Sequence, residues 1–329
     1  MTVPPSRRRL VLATLGAMAA ARLYAEPRSS RARVGVLLAT NRQSTRHLMS
    51  AFTARMTERG WVEDRNIEYP VRYAENDARR FGPLARELLA QQLDVLFAPF
   101  GPAALAAKKL DRHTPIVFAL TTDPVGLGLV ADLARPGGNA TGVCTRGEEL
   151  IAKRLQLLNE VAAPVRRIGA LIHRELWTAR TEMELTELKR AAGALGIEVI
   201  IRPYAENEDF GPALEALKRS GAEAVFGMPE QYGRRAQFVA EVARVRLPAS
   251  YPSADYVHAG GLMALAPSYP DRYRRAADYV DRILRGAKPS ELAVEQASTL
   301  NLTLNAKAAR ALGLAIPQSV LLRADEVIE

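Results

Sequence analysis

Hydroxyl, carboxylate and imidazole side chains follow several buried apolar runs of the chain. Thr40, Thr121 and Asp123 stand in this place in the first half of the sequence, and His173 and Glu230 in the second half. Ligands of parallel sheets bind at the carboxyl ends of the strands, so these side chains are candidates to hydrogen-bond a small polar molecule. Two of them have an alternative reading: His173 could be a polar rim residue, and Asp123, which precedes a proline, could shape a turn.

Further candidates come from a helix start and another strand end. Gly101, Pro102 and Ala103 open a predicted helix, and the first amides of a helix favour an anion such as a carboxylate. Tyr251 ends a predicted strand in the second half. Two facing sets of such groups could grip a small polar molecule that has an apolar body.

Motifs for catalysis are missing from the sequence. The chain contains no G-x-G-x-x-G after its first strand, no phosphate-binding P-loop, no G-x-S-x-G and no H-E-x-x-H. The four histidines lack metal-ligand spacing, and Cys144 lies in an apolar stretch typical of a buried structural thiol. We therefore predict a protein that is not an enzyme, with no cofactor and no metal.

Strands and helices alternate along the chain from residue 33, which predicts parallel sheets with right-handed crossovers. The pattern of the first half recurs in the second: "RVGVLLA" at 33–39 is echoed by "RIGALIH" at 167–173, and "LDVLFAPF" at 93–100 by "AEAVFGMP" at 222–229. Further elements follow residue 258, so the chain is expected to return to each half in turn.

The sequence thus predicts an α/β protein of two Rossmann-like lobes with a cleft between them. Lobe one is expected to comprise 31–145 plus 262–290, and lobe two 146–261 plus 291–329. Repeated crossings between the lobes would make a hinge of several strands.

The N-terminal segment 1–25 has the order of an export signal. Arg7, Arg8 and Arg9 precede the apolar run 10–21, which is too short for a membrane-spanning helix of ~20 residues but fits a signal peptide. Ala25 offers a cleavage position, and the arginines resemble a twin-arginine signal. A disordered basic arm is the alternative. The signal reading predicts a periplasmic protein.

Charge gives no indication of a nucleic-acid partner. The formal net charge of the 329 residues is +9, part of which lies in the N-terminal segment, and the rest is scattered. No basic run with interleaved aromatic residues occurs, so we expect no nucleic acid among the partners.

Several segments resemble the substrate-binding proteins of ABC transporters, in the group that includes tryptophan- and tyrosine-type uptake systems. The resemblance covers most of 33–329. The segments that carry it are "TERGWVEDRNIEYPVRYAEND", "TPIVFALTTDPVGLGLVADLARPGGNATGV", "AGGLMALAPSYPDRYRRAADYVDRILRGAKPSELAVEQ" and "LNLTLNAKAARALGLAIPQSVLLRADEVIE".

This resemblance implies a type I periplasmic-binding-protein architecture that binds a small carboxylate-bearing ligand, such as an aromatic or apolar amino acid, and delivers it to ABC permease subunits. We expect a monomer. The resemblance implies pocket or rim places for the strand-end candidates and also for Asp255, which could pair with a ligand amino group or simply begin a helix. Two presumed pocket loops, "TNRQST" at 40–45 and "HRELWTAR" at 173–180, depart from the family pattern.

Two other functions compete with transport. A two-lobed enzyme such as a glycosyltransferase would need a catalytic constellation, which we do not find. A ligand-sensing domain of a regulator would need an N-terminal helix-turn-helix, and the export signal occupies that place.

Overall fold

The computed structural model describes residues 31–145, 147–162, 164–174, 179–205 and 208–329. The predicted export signal lies outside the described residues. So do the middle residues of the "HRELWTAR" loop, 175–178.

Strands and helices alternate as the sequence predicts. The strands are β1 (Ala32–Leu38), β2 (Ile67–Glu68), β3 (Val71–Tyr73), β4 (Val95–Phe97), β5 (Ile116–Thr121), β6 (Ala140–Cys144), β7 (Arg167–His173), β8 (Glu198–Tyr204), β9 (Ala224–Phe226), β10 (Ala249–Tyr251), β11 (Met263–Ala266), β12 (Glu295–Gln296), β13 (Asn301–Asn305) and β14 (Glu326–Ile328). The α-helices are α1 (Arg42–Glu58), α2 (Phe81–Leu89), α3 (Gly101–Leu110), α4 (Gly147–Val161), α5 (Ala179–Ala194), α6 (Phe210–Arg219), α7 (Arg235–Arg244), α8 (Ala254–His258), α9 (Tyr269–Leu284), α10 (Ala306–Leu312) and α11 (Gln318–Leu321).

The strands form two seven-stranded sheets. The first has the order β12-β6-β5-β4-β1-β2, with β3 also paired to β1, and the second has the order β14-β13-β11-β10-β9-β7-β8. We call each sheet with its covering helices a lobe. The pairing is parallel, as predicted, except that β13 runs antiparallel to β11 near one edge of the second sheet.

Side-chain alternation along the strands assigns each face of a sheet its helices. In the first lobe Val36 and Phe97 pack in the core that contains α1 and α9, whereas Leu37 and Leu96 pack in the core that contains α2 and α3. The second sheet is covered in the same way, by α6 and α7 on one face and by α4 and α5 on the other.

The repeated R-x-G sequence has the same physical basis in both lobes. A Cβ built on Gly35 would lie 2.3 Å from Leu93 Cδ1, and one on Gly169 would lie 2.8 Å from Leu217 Cδ1. Each glycine therefore lets a leucine pack directly on the first strand of its sheet. The repeated sequence thus corresponds to the same packing in both lobes.

The chain passes between the sheets at three places: between β6 and α4, between β11 and α9, and between β12 and β13. The first crossing follows Cys144. The second follows Ala266 and the third Gln296, since β11 pairs with β10 in the second sheet and β12 pairs with β6 in the first. Apolar periodicity identifies a strand but does not say which sheet it joins.

Within the part of the chain that the structure describes, no helix combines the length and the apolar character that crossing a bilayer requires.

Candidate ligand-binding site

A cavity of about 140 Å³ lies where the carboxyl ends of strands from both sheets meet. From the first lobe its wall includes residues after β1, β4 and β5 and on α9, and from the second it includes residues after β9 and on α4 and α5. An apolar cavity of about 150 Å³ can hold a benzene molecule, so this space suits the ring of an aromatic ligand.

Much of the cavity wall is aromatic. The rings come from both lobes, and two of them, Tyr232 and Tyr269, lie with their centroids 5.5 Å apart. The aromatic lining residues are Phe81, Phe100, Phe226, Tyr232, Tyr269 and Tyr273. Such walls bind flat apolar groups by stacking and by edge-to-face contact.

A buried guanidinium, that of Arg154 on α4, reaches the cavity. The residue is only 4 % exposed, and its guanidinium lies 3.9 Å from the centre of the Phe226 ring. Its Nη2 donates to two carbonyl oxygens, those of Gly227 at 2.8 Å and Ser250 at 2.9 Å, and its Nε donates to Ser250 Oγ at 3.4 Å. All of these acceptors are uncharged.

No carboxylate among the described residues forms an ion pair with Arg154, and its Nη1 has no acceptor among them. Burial lowers the pKa of the Arg154 guanidinium to about 10, so the group still carries its charge at neutral pH. Buried charges in proteins are normally paired. The Glu184 carboxylate in the same cavity wall acts on Arg154 electrostatically but forms no hydrogen bond with it, so the guanidinium can still bind an anion directly.

Further charged side chains complete the wall. Arg272, at the start of α9, is buried and donates from Nη2 to the carbonyl oxygen of Thr121 at 3.4 Å. Glu184 on α5 is buried and accepts from Thr122 Oγ1 at 3.3 Å. Glu230 is buried in the short 3-10 helix Pro229–Arg234. The cavity thus offers both positive and negative side chains to one ligand.

The 3-10 helix that carries Glu230 is held in place by its neighbour Gln231. The Gln231 side chain accepts from the Met228 amide at 3.0 Å and donates to the Leu171 carbonyl at 2.9 Å. Because Leu171 belongs to β7, this amide fastens the helix to the sheet and fixes the position from which Glu230 faces the cavity.

Two threonine hydroxyls of the first lobe also face the cavity. The Oγ1 atoms of Thr40 and Thr121 are buried and have no hydrogen-bond partner among the described residues. Thr121 is only 1 % exposed. A buried hydroxyl without a partner costs folding free energy, which a ligand atom placed beside it would recover.

The predicted site residues divide into two groups. Three of them, Thr40, Thr121 and Glu230, line the cavity together. The remaining candidates lie outside its lining: Gly101, Pro102, Ala103, Asp123, His173, Tyr251 and Asp255.

The helix start at Gly101 contributes through packing. Phe100, the residue before α3, lines the cavity, and a Cβ on Gly101 would lie 2.8 Å from Thr121 Oγ1. Pro102 has no N–H, so it offers no donor. Ala103 is completely buried in the core between α2 and α3.

Asp123 accepts from the Gly126 amide at 2.8 Å, as the turn-shaping alternative requires. It lines a second, more open cavity of about 650 Å³ together with the carboxylates of Glu149, Glu182 and Glu187. This second cavity adjoins the first, since Glu184 lines both.

The other three candidates lie in packed surroundings. The His173 ring is 1 % exposed and packs edge-on against Tyr204, with centroids 5.0 Å apart. Tyr251 is buried in the core and stacks on Tyr256 at 5.3 Å. Asp255 accepts from Tyr232 at the rim of the cleft.

Sequence reasoning missed Arg154, Arg272 and Glu184 because single charged residues on helices are usually solvated. One signal was available for Arg154. It stands three residues after Ile151 and four before Leu158, both buried, so it occupies the apolar stripe of α4. A charge in an apolar stripe must find partners, and here they are carbonyl oxygens, a hydroxyl and an aromatic ring rather than a carboxylate.

No group of three or more metal-ligating side chains occurs among the described residues. Cys144 is buried as predicted, and burial raises the pKa of its thiol to about 11, which leaves it protonated and unreactive at neutral pH.

The family model for ABC transporter substrate binding proteins matches residues 33–328. This chain belongs to that family. The substrate-binding protein is 22 % identical over 284 residues to a tyrosine-binding protein of Clostridioides difficile, which covers 85 % of this chain and 81 % of the relative.

Two solved structures share the fold of this substrate-binding protein. A conserved domain protein of Vibrio cholerae matches with a TM-score of 0.83 and 26 % identity, over 90 % of this chain and 99 % of that one. A domain from Streptococcus pneumoniae in complex with L-Trp matches with a TM-score of 0.81 and 25 % identity, over 91 % of this chain and 100 % of that one. The protein is therefore a binding protein of type I architecture and not an enzyme.

Proposed function

We propose that this substrate-binding protein binds an aromatic amino acid, or a close carboxylate-bearing analogue, in the cavity between its lobes and delivers it to an ABC permease. The observation that carries the proposal is Arg154, a buried guanidinium in the cavity wall whose described partners are all uncharged. A ligand carboxylate supplies a counter-charge that is hydrogen-bonded to the guanidinium, with Nη1 as the donor.

The other residues of the cavity wall suit the ammonium group and the aromatic ring of such an amino acid. Glu230 and Glu184 supply negative charge for a ligand ammonium group, and the buried hydroxyls of Thr40 and Thr121 supply further hydrogen bonds. The aromatic lining and the volume of about 140 Å³ suit a single ring. The similarity to a tyrosine-binding protein and to a structure that holds L-Trp points the same way.

Calorimetry with a matched set of ligands tests this proposal. L-Tyrosine carries both charged groups, tyramine lacks the carboxylate, and 3-(4-hydroxyphenyl)propionate lacks the amine. We expect L-tyrosine to bind most tightly, tyramine to bind at least tenfold more weakly, and none of the three to be chemically altered. Equal binding of tyramine and L-tyrosine would remove the role given to Arg154, and turnover of any ligand would contradict a pure binding function.

Export and docking to the permease follow as further parts of the proposal. We expect the mature chain to begin near Glu26, on the outer side of the cytoplasmic membrane, and to act as a monomer that closes about its hinge when ligand binds. N-terminal sequencing of the protein from a periplasmic extract checks the cleavage, and recovery of Met1 or Arg7 there would contradict it. A radius of gyration that does not change on saturation with ligand would contradict closure.

A further inference from the structure

One rim of the cleft is crossed by polar contacts between α1 of the first lobe and the second lobe. His47 Nε2 lies 3.1 Å from Asp255 Oδ1, and Ser44 Oγ donates to the Gly233 carbonyl at 3.1 Å. A Cβ on Gly233 would lie 2.1 Å from Asn76 Oδ1, so the two lobes touch closely at this point. These contacts exist only while the lobes are together.

Asp255 connects this rim to the ligand cavity. Its Oδ2 accepts from the hydroxyl of Tyr232 at 2.7 Å, and the Tyr232 ring belongs to the cavity wall. Its Oδ1 faces the imidazole of His47 in the opposite lobe. The carboxylate therefore orients one wall of the cavity and, through its other oxygen, holds the lobe that covers it.

We propose that Asp255 is a positioning residue for ligand retention, and that its pairing with His47 closes the cleft most strongly while the imidazole is protonated. Ligand affinity then falls as the pH rises through the range in which imidazoles lose their charge, roughly pH 5 to 8. This inference rests on the proposed function, since it concerns the same cavity and its closure.

Other titratable and charged groups lie on the elements packed around the pair. Although burial acts to raise it, the hydrogen bonds from His47 and Tyr232 hold the pKa of Asp255 below its usual value. Burial beside Asp255 raises the pKa of Tyr232 far above neutrality. The arginines on the elements around the pair stay protonated: Arg42 and Arg46 on α1, and Arg235 on α7, whose guanidinium lies over the Tyr232 ring. The 3-10 helix also carries Glu230 and Arg234, and α8 ends at His258, which pairs with Glu326 at 3.0 Å.

The sign of the effect follows from these charges. While the imidazole is protonated the pair carries opposite charges and favours the closed form, and once the imidazole is neutral only a hydrogen bond to the carboxylate remains. The side chains of His47 and Asp255 are 40 % and 18 % exposed, so the pair is partly screened by solvent. Partly exposed pairs of this kind change an equilibrium by about two- to fivefold.

The test compares the affinity for L-tyrosine between pH 5.5 and 8.5 in the mature wild type and in the variants His47→Gln, Asp255→Asn and the double variant. His113→Gln serves as the matched control, because His113 is exposed and follows α3 away from the cleft rim.

We expect the wild type and the control to bind about two- to fivefold more tightly at pH 5.5 than at pH 8.5. Each single variant should lose this dependence, and the double variant should lose no more than Asp255→Asn. Persistence of the wild-type pH profile in His47→Gln, or additive losses in the double variant, would overturn the proposal.

Small-angle scattering of the ligand-free proteins at the same two pH values keeps the inference separate from the proposed function. If the His47–Asp255 pair, which we call the latch, holds the lobes together, the mean radius of gyration of the wild type should be larger at pH 8.5 than at pH 5.5. His47→Gln should show no such change. If L-tyrosine does not bind but this scattering difference is found, the proposed ligand is wrong and the latch stands. If L-tyrosine binds and neither the affinity nor the scattering depends on His47, the latch is wrong and the ligand stands.

Discussion

Replacement of Arg154 by glutamine should separate ligand recognition from folding. In the wild type, Nη2 and Nε of Arg154 are engaged by Gly227 and Ser250, and Nη1 remains for a ligand. Loss of a charged hydrogen bond to a buried carboxylate costs ~2–4 kcal/mol, which corresponds to roughly 30- to 1000-fold weaker binding.

The stability of the ligand-free variant should change much less than its affinity. Two buried carbonyls lose a donor, but the variant also no longer has to bury an uncompensated charge, and these effects oppose each other. Thermal unfolding of Arg154→Gln without ligand should therefore show a cooperative transition near that of the wild type. Lys153→Gln is the matched control, since Lys153 is the preceding residue of α4 and its side chain is 47 % exposed.

The assay is calorimetric titration with L-tyrosine and with tyramine. Wild type and Lys153→Gln should bind L-tyrosine much more tightly than tyramine. Arg154→Gln should bind the two with similar affinity, because it lacks the guanidinium that binds the carboxylate. Arg154→Lys should restore part of the discrimination, since it keeps the charge but not the planar fork. The reasoning is refuted if Arg154→Gln binds L-tyrosine within about threefold of the wild type, which is less than one net hydrogen bond provides.

Three further predictions concern other positions. Thr121→Val keeps the shape of the side chain but removes its buried hydroxyl, so L-tyrosine should bind ~0.5–1.5 kcal/mol more weakly by calorimetry; an unchanged affinity would mean that the hydroxyl does not contact the ligand. Gly142→Ala should destabilise the fold by at least ~2 kcal/mol in chemical denaturation, because Gly142 has a φ of 148° and a Cβ there would lie 2.0 Å from the Phe118 carbonyl oxygen; a wild-type midpoint would contradict this. The Cys144 thiol, with its pKa raised to about 11, should not react with a thiol-specific disulfide reagent at pH 8 until denaturant unfolds the protein, and rapid labelling of the native protein would show that the site opens.

The order of strands and helices could be predicted because it depends on local periodicity. The alternation of buried runs and amphipathic helices and the glycines at 35 and 169 were visible in the sequence. Strand ends that meet in a cleft are a general consequence of parallel sheets, and Thr40, Thr121 and Glu230 were found by that rule.

Other strand-end candidates lie outside the cavity lining, because a strand end does not specify the direction of its side chain. His173 and Tyr251 stand at the ends of β7 and β10, but their rings turn toward Tyr204 and Tyr256 and complete the core. Asp255 faces the opposite lobe, where His47 meets one of its oxygens. Each outcome depends on which residue of a distant segment lies opposite.

By itself the sequence determined the α/β class, the two repeated halves, the absence of known catalytic motifs and the family resemblance, because each is written in local pattern or motif order. Only the tertiary structure decided which charges are buried. Arg154 and Lys153 are adjacent basic residues on one helix, yet packing against Phe226 and the carbonyls of Gly227 and Ser250 removes the first from water and leaves the second exposed. Desolvation makes the one a binding group and leaves the other a surface charge, and desolvation is a property of the assembled fold.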